Sequence, residues 1–162
     1  MKKHEYKVIY VLLITVLSTC LLLGCSSKPA EEPLVVYSFS GENEMFSISN
    51  GVIVLNEGEE IFYGGNLIGE LSDIVAYSMT FYIQSGSDNI VLLSNSVTDM
   101  TGGTIGIAGE TGKISGDVLK RTEEDDLQNN LYFELKTTNL DGEENTYQLQ
   151  LAVTEVTKTK DS

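Results

Sequence analysis

The pattern of apolar and polar positions predicts β-strands from residue 34 to the C-terminus. Residues 34–40 are rich in β-branched and aromatic side chains, and residues 74–84 form the longest stretch that alternates between two faces. We expect one face of that stretch to line the core through Val75, Tyr77, Met79, Phe81 and Ile83. Residues 131–136 and 147–153 also alternate strictly, as paired antiparallel strands do.

Turn residues separate these segments. Asn50-Gly51 stands between residues 45–49 and 52–56, and this dipeptide is typical of a two-residue hairpin turn because both of its positions need a positive φ. Gly64-Gly65 predicts a bend or bulge, and Asp141-Gly142 predicts a hairpin turn. Residues 41–44 are expected to form the turn between the first two strands. Residues 85–88 are expected to form the turn between the longest strand and the next one, at residues 90–97.

Eight or nine short antiparallel strands in about 130 residues predict an all-β fold, either an antiparallel β-sandwich or a closed lipocalin-like β-barrel. We favour the sandwich because the strands differ so much in length. The six glycines between residues 102 and 116 predict bent strands and turns. Residues 118–128 could hold one or two helical turns, but their apolar side chains are few (Val118, Leu119 and Leu127), so we favour a solvated loop.

An apolar run at residues 8–23 follows the cations Lys2, Lys3 and Lys7 and predicts a secretory signal peptide. The run has 16 residues, fewer than the roughly 20 that a transmembrane helix needs. It ends in Leu22-Leu23-Gly24-Cys25, which resembles the lipobox of bacterial lipoproteins. The resemblance implies that residues 1–24 are removed, that Cys25 carries fatty acyl chains such as palmitate, and that the protein is anchored to the outer side of the cell membrane.

The chain therefore divides into a signal peptide at residues 1–24, a lipidated cysteine with a polar tether at 25–33, and one β domain at 34–162. The tether contains both prolines of the chain, which favour an extended conformation. Residues 37–44, followed by Phe46, are similar to a motif near the start of small uncharacterised lipoproteins of Gram-positive bacteria. That resemblance implies an all-β domain outside the cytoplasm.

Net charge excludes one class of partner. Without residues 1–24 the chain has seven Lys and Arg against 23 Asp and Glu, a formal charge of −16. Nucleic-acid binding needs a basic surface, so we exclude it. Cationic peptides or basic proteins would be attracted, although the same charge also serves simply to keep an anchored domain soluble.

Most catalytic chemistry is excluded as well. The single histidine, His4, and Cys20 leave with the signal peptide, and the thiol of Cys25 would be blocked by lipid. Catalytic triads and zinc sites built on His or Cys are thus unavailable, which leaves a carboxylate-based hydrolase as the enzymatic alternative. Gly103, Gly106 and Gly109 have the spacing of a phosphate-binding loop but lack the helix that such a loop requires. We predict a protein without catalytic activity or a cofactor.

Two acidic clusters are candidate calcium ligands, since calcium prefers carboxylate oxygens. One spans residues 123–126, and the other comprises Asp141, Glu143 and Glu144. The second cluster lacks the alternating ligands and the distal Glu of an EF-hand, so we favour a solvated hairpin tip there.

We therefore predict a membrane-anchored binding module for a protein or peptide partner. The alternative is an immunity-type lipoprotein that captures a cationic antimicrobial peptide, because size, anchor and charge are similar to those of lantibiotic immunity lipoproteins.

Overall fold

The computed structural model describes residues 34–56, 59–117, 119, 122 and 124–157. Eleven strand segments and one short helix lie within these residues. In chain order they are β1 Val35–Glu42, β2 Phe46–Asn56, β3 Glu59–Tyr63, β4 Asn66–Gly69, β5 Ile74–Ser85, β6 Asp88–Thr98, β7 Gly109–Glu110, β8 Lys113–Ser115, α1 Glu124–Asn129, β9 Leu131–Asn139, β10 Glu144–Gln150 and β11 Ala152–Glu155.

The strands form two antiparallel sheets. In the first sheet the order is β11-β1-β2-β3-β8, and β4 pairs with β2 and β7 beyond the end of β3. In the second sheet the order is β10-β9-β5-β6. The inner faces of the two sheets pack on one core, so the predicted β-sandwich is confirmed and the closed barrel is excluded.

The predicted C-terminal hairpin is divided between the sheets. Strand β10 pairs with β9 in the second sheet, whereas β11 pairs with β1 in the first. Between them Leu151 is buried, and its backbone N–H donates a hydrogen bond to the carbonyl of Leu131. One continuous stretch of chain therefore closes one side of the sandwich.

The prediction of a hairpin turn at Asn50-Gly51 is wrong. Strand β2 continues through both residues, and Asn50 has a φ of 58°. Phe39 of β1 pairs with Gly51 of β2, and Gly41 of β1 pairs with Ile48 of β2. Between these two pairs β1 advances by two residues and β2 by three, so β2 contains one extra residue. This β-bulge reverses the alternation along β2, which lets even-numbered Ile48 face the same core as odd-numbered Ile53.

A glycine at position 51 is required by the opposite strand. A Cβ on Gly51 would lie 2.1 Å from Cε2 of Phe39, whose ring covers the bulge. The adjacent Gly64-Gly65 interrupts the next strand, between β3 and β4, which confirms the bend predicted there. The two irregularities lie side by side in the first sheet.

Aromatic rings connect the sheets through the centre of the core. Phe39 and Phe62 of the first sheet stack with ring centroids 5.4 Å apart. Phe81 of the second sheet contacts both of them and also lies 4.8 Å from Phe133 on the neighbouring strand. Phe46 extends the cluster from Phe133, at 5.6 Å.

The predicted core face of β5 is correct from Tyr77 onward. Met79, Phe81 and Ile83 are buried, and the half-buried Tyr77 packs against the core, whereas Val75 lies where the register with β9 is irregular. Tyr82 is also buried, on the opposite face, because Tyr132 of β9 stacks on it at 5.7 Å. Sequence alternation alone could not indicate that neighbour.

Residues 118–128 were expected to be a solvated loop, but helix α1 occupies part of this segment. Leu127 points into the core, and Leu119 is buried beside it in the same cluster. Acidic residues fill the first turn of α1, where they interact favourably with the helix dipole. A single buried leucine among six residues was too weak a signal for the helix to be preferred over the loop.

The hydroxyl of Tyr37 should make stability depend on pH. Burial raises the pKa of Tyr37, a hydrogen bond with Gln128 opposes this, and the charge of Glu124 adds to the rise. The unfolded chain releases this proton at about pH 10, before the folded chain does. We therefore expect the free energy of unfolding to be unaffected below that pH and to fall as pH rises beyond it.

Denaturant unfolding measured from about pH 8 to about pH 11 checks this, with Tyr37→Phe as the comparison. The variant should lose stability less steeply above pH 10, because it has no proton to release at this site. Equal slopes in the two proteins would contradict the interpretation.

Candidate functional site

The predicted lipid attachment site, Cys25, lies outside the described residues, and so does the tether at 26–33. Within the described residues, no helix has the length and apolar character needed to cross a bilayer. The lipid anchor accordingly stays a prediction from the sequence.

The candidate metal ligands Asp141, Glu143 and Glu144 lie at the turn between β9 and β10. The side-chain oxygen of Asn139 accepts hydrogen bonds from the backbone N–H groups of Asp141 and Glu143, at 3.1 and 2.8 Å. Its amide donates to the Glu143 carboxylate at 3.1 Å. Asn139 thus organises this turn, and in the part of the chain that the structure describes no group of three or more His, Cys, Asp or Glu is arranged to hold a metal.

The other acidic cluster has partners within the protein where it is described. The Asp126 carboxylate accepts hydrogen bonds from the Ser85 hydroxyl at 2.7 Å and from the Asn130 amide at 2.9 Å. Asp125 accepts from the Asn129 amide at 3.0 Å. The Ser85 hydrogen bond attaches α1 to the end of β5, and the two amide bonds are local to the helix and its C-terminal end, so these acids have a structural role.

The glycine-rich loop after β6 is likewise organised by its own acid. The Asp99 carboxylate accepts hydrogen bonds from the backbone N–H and hydroxyl of Thr101 and from the backbone N–H of Gly103. These bonds lower the pKa of Asp99. The Gly103 amide, at the start of the glycine spacing that suggested a phosphate loop, is already occupied by this carboxylate.

The second sheet offers a different kind of surface, which we call the hydroxyl face. It is the outer face of β10, β9, β5 and β6, and its side chains alternate with those that enter the core. Small hydroxylated side chains recur on it, namely Ser78, Thr80, Ser94, Ser96, Thr98, Thr138 and Thr146. On this outer face Thr80 of β5 and Ser94 of β6 share a hydrogen bond of 3.0 Å between their hydroxyl groups.

One end of the hydroxyl face is concave. A depression of about 300 Å³ lies there, with Ala76, Ser78 and Thr138 of the two central strands among its lining residues. The edge strands contribute Ser96 and Thr98 on one side and Glu144 and Thr146 on the other. Small side chains at the centre and longer ones at one edge give the surface its concave shape.

Charged groups border the depression without dominating it. Lys136 and Glu144 both line it, and Lys136 forms a 3.0 Å ion pair with Glu134, the next outward residue of β9. Further along the same face, Gln148 donates a hydrogen bond to the hydroxyl of Tyr82, which holds the Tyr82 ring in place. The depression therefore presents hydroxyl groups with one cation and one anion, and suits a polar ligand.

The alternation predicted for residues 74–84 implies that Ala76, Ser78, Thr80 and Tyr82 lie together opposite the core face, but the sequence alone did not indicate a site there. The signal that could have found it is the recurrence of Ser and Thr at outward positions of β5 and β6. That recurrence becomes visible only when the strand order is known. Comparisons with family models, with curated proteins and with solved structures found no match to this chain.

Proposed function

We propose that this protein is a lipid-anchored binding module on the outer side of the cell membrane, and that the depression in the hydroxyl face takes its ligand. The lipobox-like sequence and the signal-peptide pattern support the anchor. The concave surface lined by Ser78, Thr138, Lys136 and Glu144 is the observation that carries the binding function. Hydrogen-bonding groups in such a depression select a ligand by orientation more than by apolar area.

The anchor is tested by the mass of the N-terminal residue in protein isolated from its own membranes. We expect the mature chain to begin at Cys25 with two acyl chains in thioether-linked diacylglycerol, since two chains give stable attachment. Cys25→Ser should leave the protein without this modification and deplete it from the lipid-anchored fraction. An unmodified Cys25, or residues 1–24 still attached, would contradict the proposal.

The ligand surface is tested by capture. A chain beginning at Ser26 is immobilised and exposed to the envelope fraction and secreted peptides of its own cells, beside a Ser78→Arg variant. The arginine should fill the depression and abolish specific capture. Ser47→Arg is the matched control, because Ser47 is also a half-buried serine on a central strand but faces outward from the first sheet. Equal capture by both variants would refute the assignment of this face.

Capture of a cationic antimicrobial peptide is the second candidate, and the formal charge of −16 favours it. The same experiment separates the two, because attraction by net charge should weaken strongly with added salt and should respond equally to Ser78→Arg and Ser47→Arg. Recognition in the depression should distinguish the two variants at every salt concentration.

A further inference from the structure

The outer face of the first sheet carries an apolar patch where its three central strands pair, bordered by outward polar residues such as Ser38 and Glu59. We call it the valine face and define it by Val36 of β1, Val52 and Val54 of β2, and Ile61 and Tyr63 of β3. Val54 pairs with Val36 on one side and with Ile61 on the other, and Val52 pairs with Tyr63. The five side chains are therefore neighbours in two adjacent rows, and all are half-buried.

Two exposed residues extend this surface. Val156 donates its backbone N–H to the carbonyl of Val36 at 2.7 Å, and its side chain is 59 % exposed. Leu34, directly before β1, is 52 % exposed. Both lie at the end of the face where the chain enters the domain.

The hydroxyl face provides an internal comparison. An antiparallel sheet that covers a core on one side and meets water on the other alternates apolar and polar residues, as β9 does. Strand β2 instead reads Val52-Ile53-Val54-Leu55, a continuous apolar run typical of strands buried on both faces. The valine face thus has the composition of a covered surface.

The position of the tether indicates what covers it. Only residues 26–33 separate the lipid at Cys25 from Leu34, a span on the order of 20–30 Å for a short polar linker with two prolines. Because the tether is short, the effective concentration of the domain's surface at the bilayer is in the millimolar range. Weak apolar attraction, insufficient for a free domain, becomes significant under that condition.

We propose that the valine face lies against the bilayer surface when the protein is anchored, which leaves the hydroxyl face directed away from the membrane. This inference rests on the proposed lipid anchor. Among the described residues, Lys113, which pairs with Tyr63, is a cation at the border of the face, and Glu59, which pairs with Asn56 beside Ile61, is an anion there. Burial of apolar side chains, more than attraction to anionic lipid, drives the contact.

Tryptophan fluorescence tests this, because the chain contains no tryptophan. Tyr63→Trp places an indole on the valine face, and Tyr132→Trp places one on the hydroxyl face as a matched control. Each lipidated full-length variant is reconstituted into phosphatidylcholine vesicles with or without lipids brominated near the headgroup. We expect at least about a twofold loss of emission for Tyr63→Trp and almost none for Tyr132→Trp, since an interfacial apolar face enters the headgroup–acyl boundary.

The result should persist at high salt. Equal quenching of the two variants, or none in either, would overturn the proposal, and so would a change in Tyr63→Trp emission that depends on protein concentration in detergent, which would identify a second copy as the occupant. Should Tyr63→Trp fail to fold, Ile61→Trp repeats the measurement on the same face.

Failure of the anchor itself is distinguishable from failure of this inference. If mass analysis finds Cys25 unmodified, its free thiol is coupled to a maleimide lipid and the quenching comparison is repeated. The mass of the N-terminal residue then refutes the proposed lipid anchor, whereas the difference in quenching between Tyr63→Trp and Tyr132→Trp still tests the contact with the bilayer.

Discussion

Replacing Phe81 by alanine is expected to lower the free energy of unfolding by about 3–5 kcal/mol, the largest single effect from deleting one core side chain. Phe81 is fully buried, and its ring contacts aromatic rings of both sheets. It contacts Phe39 and Phe62 of the first sheet and Phe133 of the second. Rings from β1, β3 and β9 would line the resulting cavity.

Denaturant or thermal unfolding measures the effect, with an expected decrease in melting temperature on the order of 10 °C. Phe81→Leu should cost much less, because it retains most of the apolar volume. Met100→Ala is a surface control, since Met100 is 91 % exposed, and it should change stability by no more than about 0.5 kcal/mol. A Phe81→Ala cost as small as that of the surface control would show that the rings do not connect the sheets.

Gly65→Ala is expected to be the most destabilising of the glycine substitutions at a positive φ. Gly65 has a φ of 80°, which costs an alanine about 1–2 kcal/mol. An added Cβ would also lie 2.2 Å from the carbonyl oxygen of Ser49 and 2.7 Å from the backbone nitrogen of Gly51. These are backbone atoms of β2, so no side-chain rotation can relieve the collision.

Gly142→Ala is the matched control, because Gly142 has the same φ of 80° but no atom within 4 Å of an added Cβ. Both variants carry the dihedral cost, and the difference between them isolates the steric conflict. We expect Gly65→Ala to be the less stable by about 1–3 kcal/mol in denaturant unfolding. Equal stability would mean that the first sheet can spread apart at this position.

A displacement of Gly65 would also affect Thr111, which lies between β7 and β8. Thr111 is buried, and its hydroxyl and its backbone N–H both donate to the carbonyl of Gly65 at 3.0 Å. The carbonyl of Thr111 accepts from the Asn95 amide at 2.6 Å, which links the segment between β7 and β8 to β6 of the second sheet. A displaced Gly65 would therefore disturb the contact that closes this side of the sandwich.

The sequence by itself determined the fold class and most strand positions. The alternation of apolar and polar residues in 74–84 and 131–136 predicts strands there, and Asp141-Gly142 predicts the turn that follows. Both predictions depend only on residues close together in the sequence. The acidic clusters were also visible, but their partners, such as Ser85 for Asp126 and Asn139 for the backbone of Asp141 and Glu143, were not.

Tertiary structure alone decided which strands are neighbours, and several local predictions changed as a consequence. Asn50-Gly51 is a bulge because β1 and β3 pair with β2 on both sides, and a hairpin turn there would leave those strands without hydrogen-bond partners. The strand predicted at residues 147–153 is likewise divided, because its first part pairs with β9 as β10 whereas its last residues belong to β11, which pairs with β1 of the first sheet. The hydroxyl face and the valine face exist only once strands distant in sequence are placed side by side, since a surface is a property of pairing and not of any single strand.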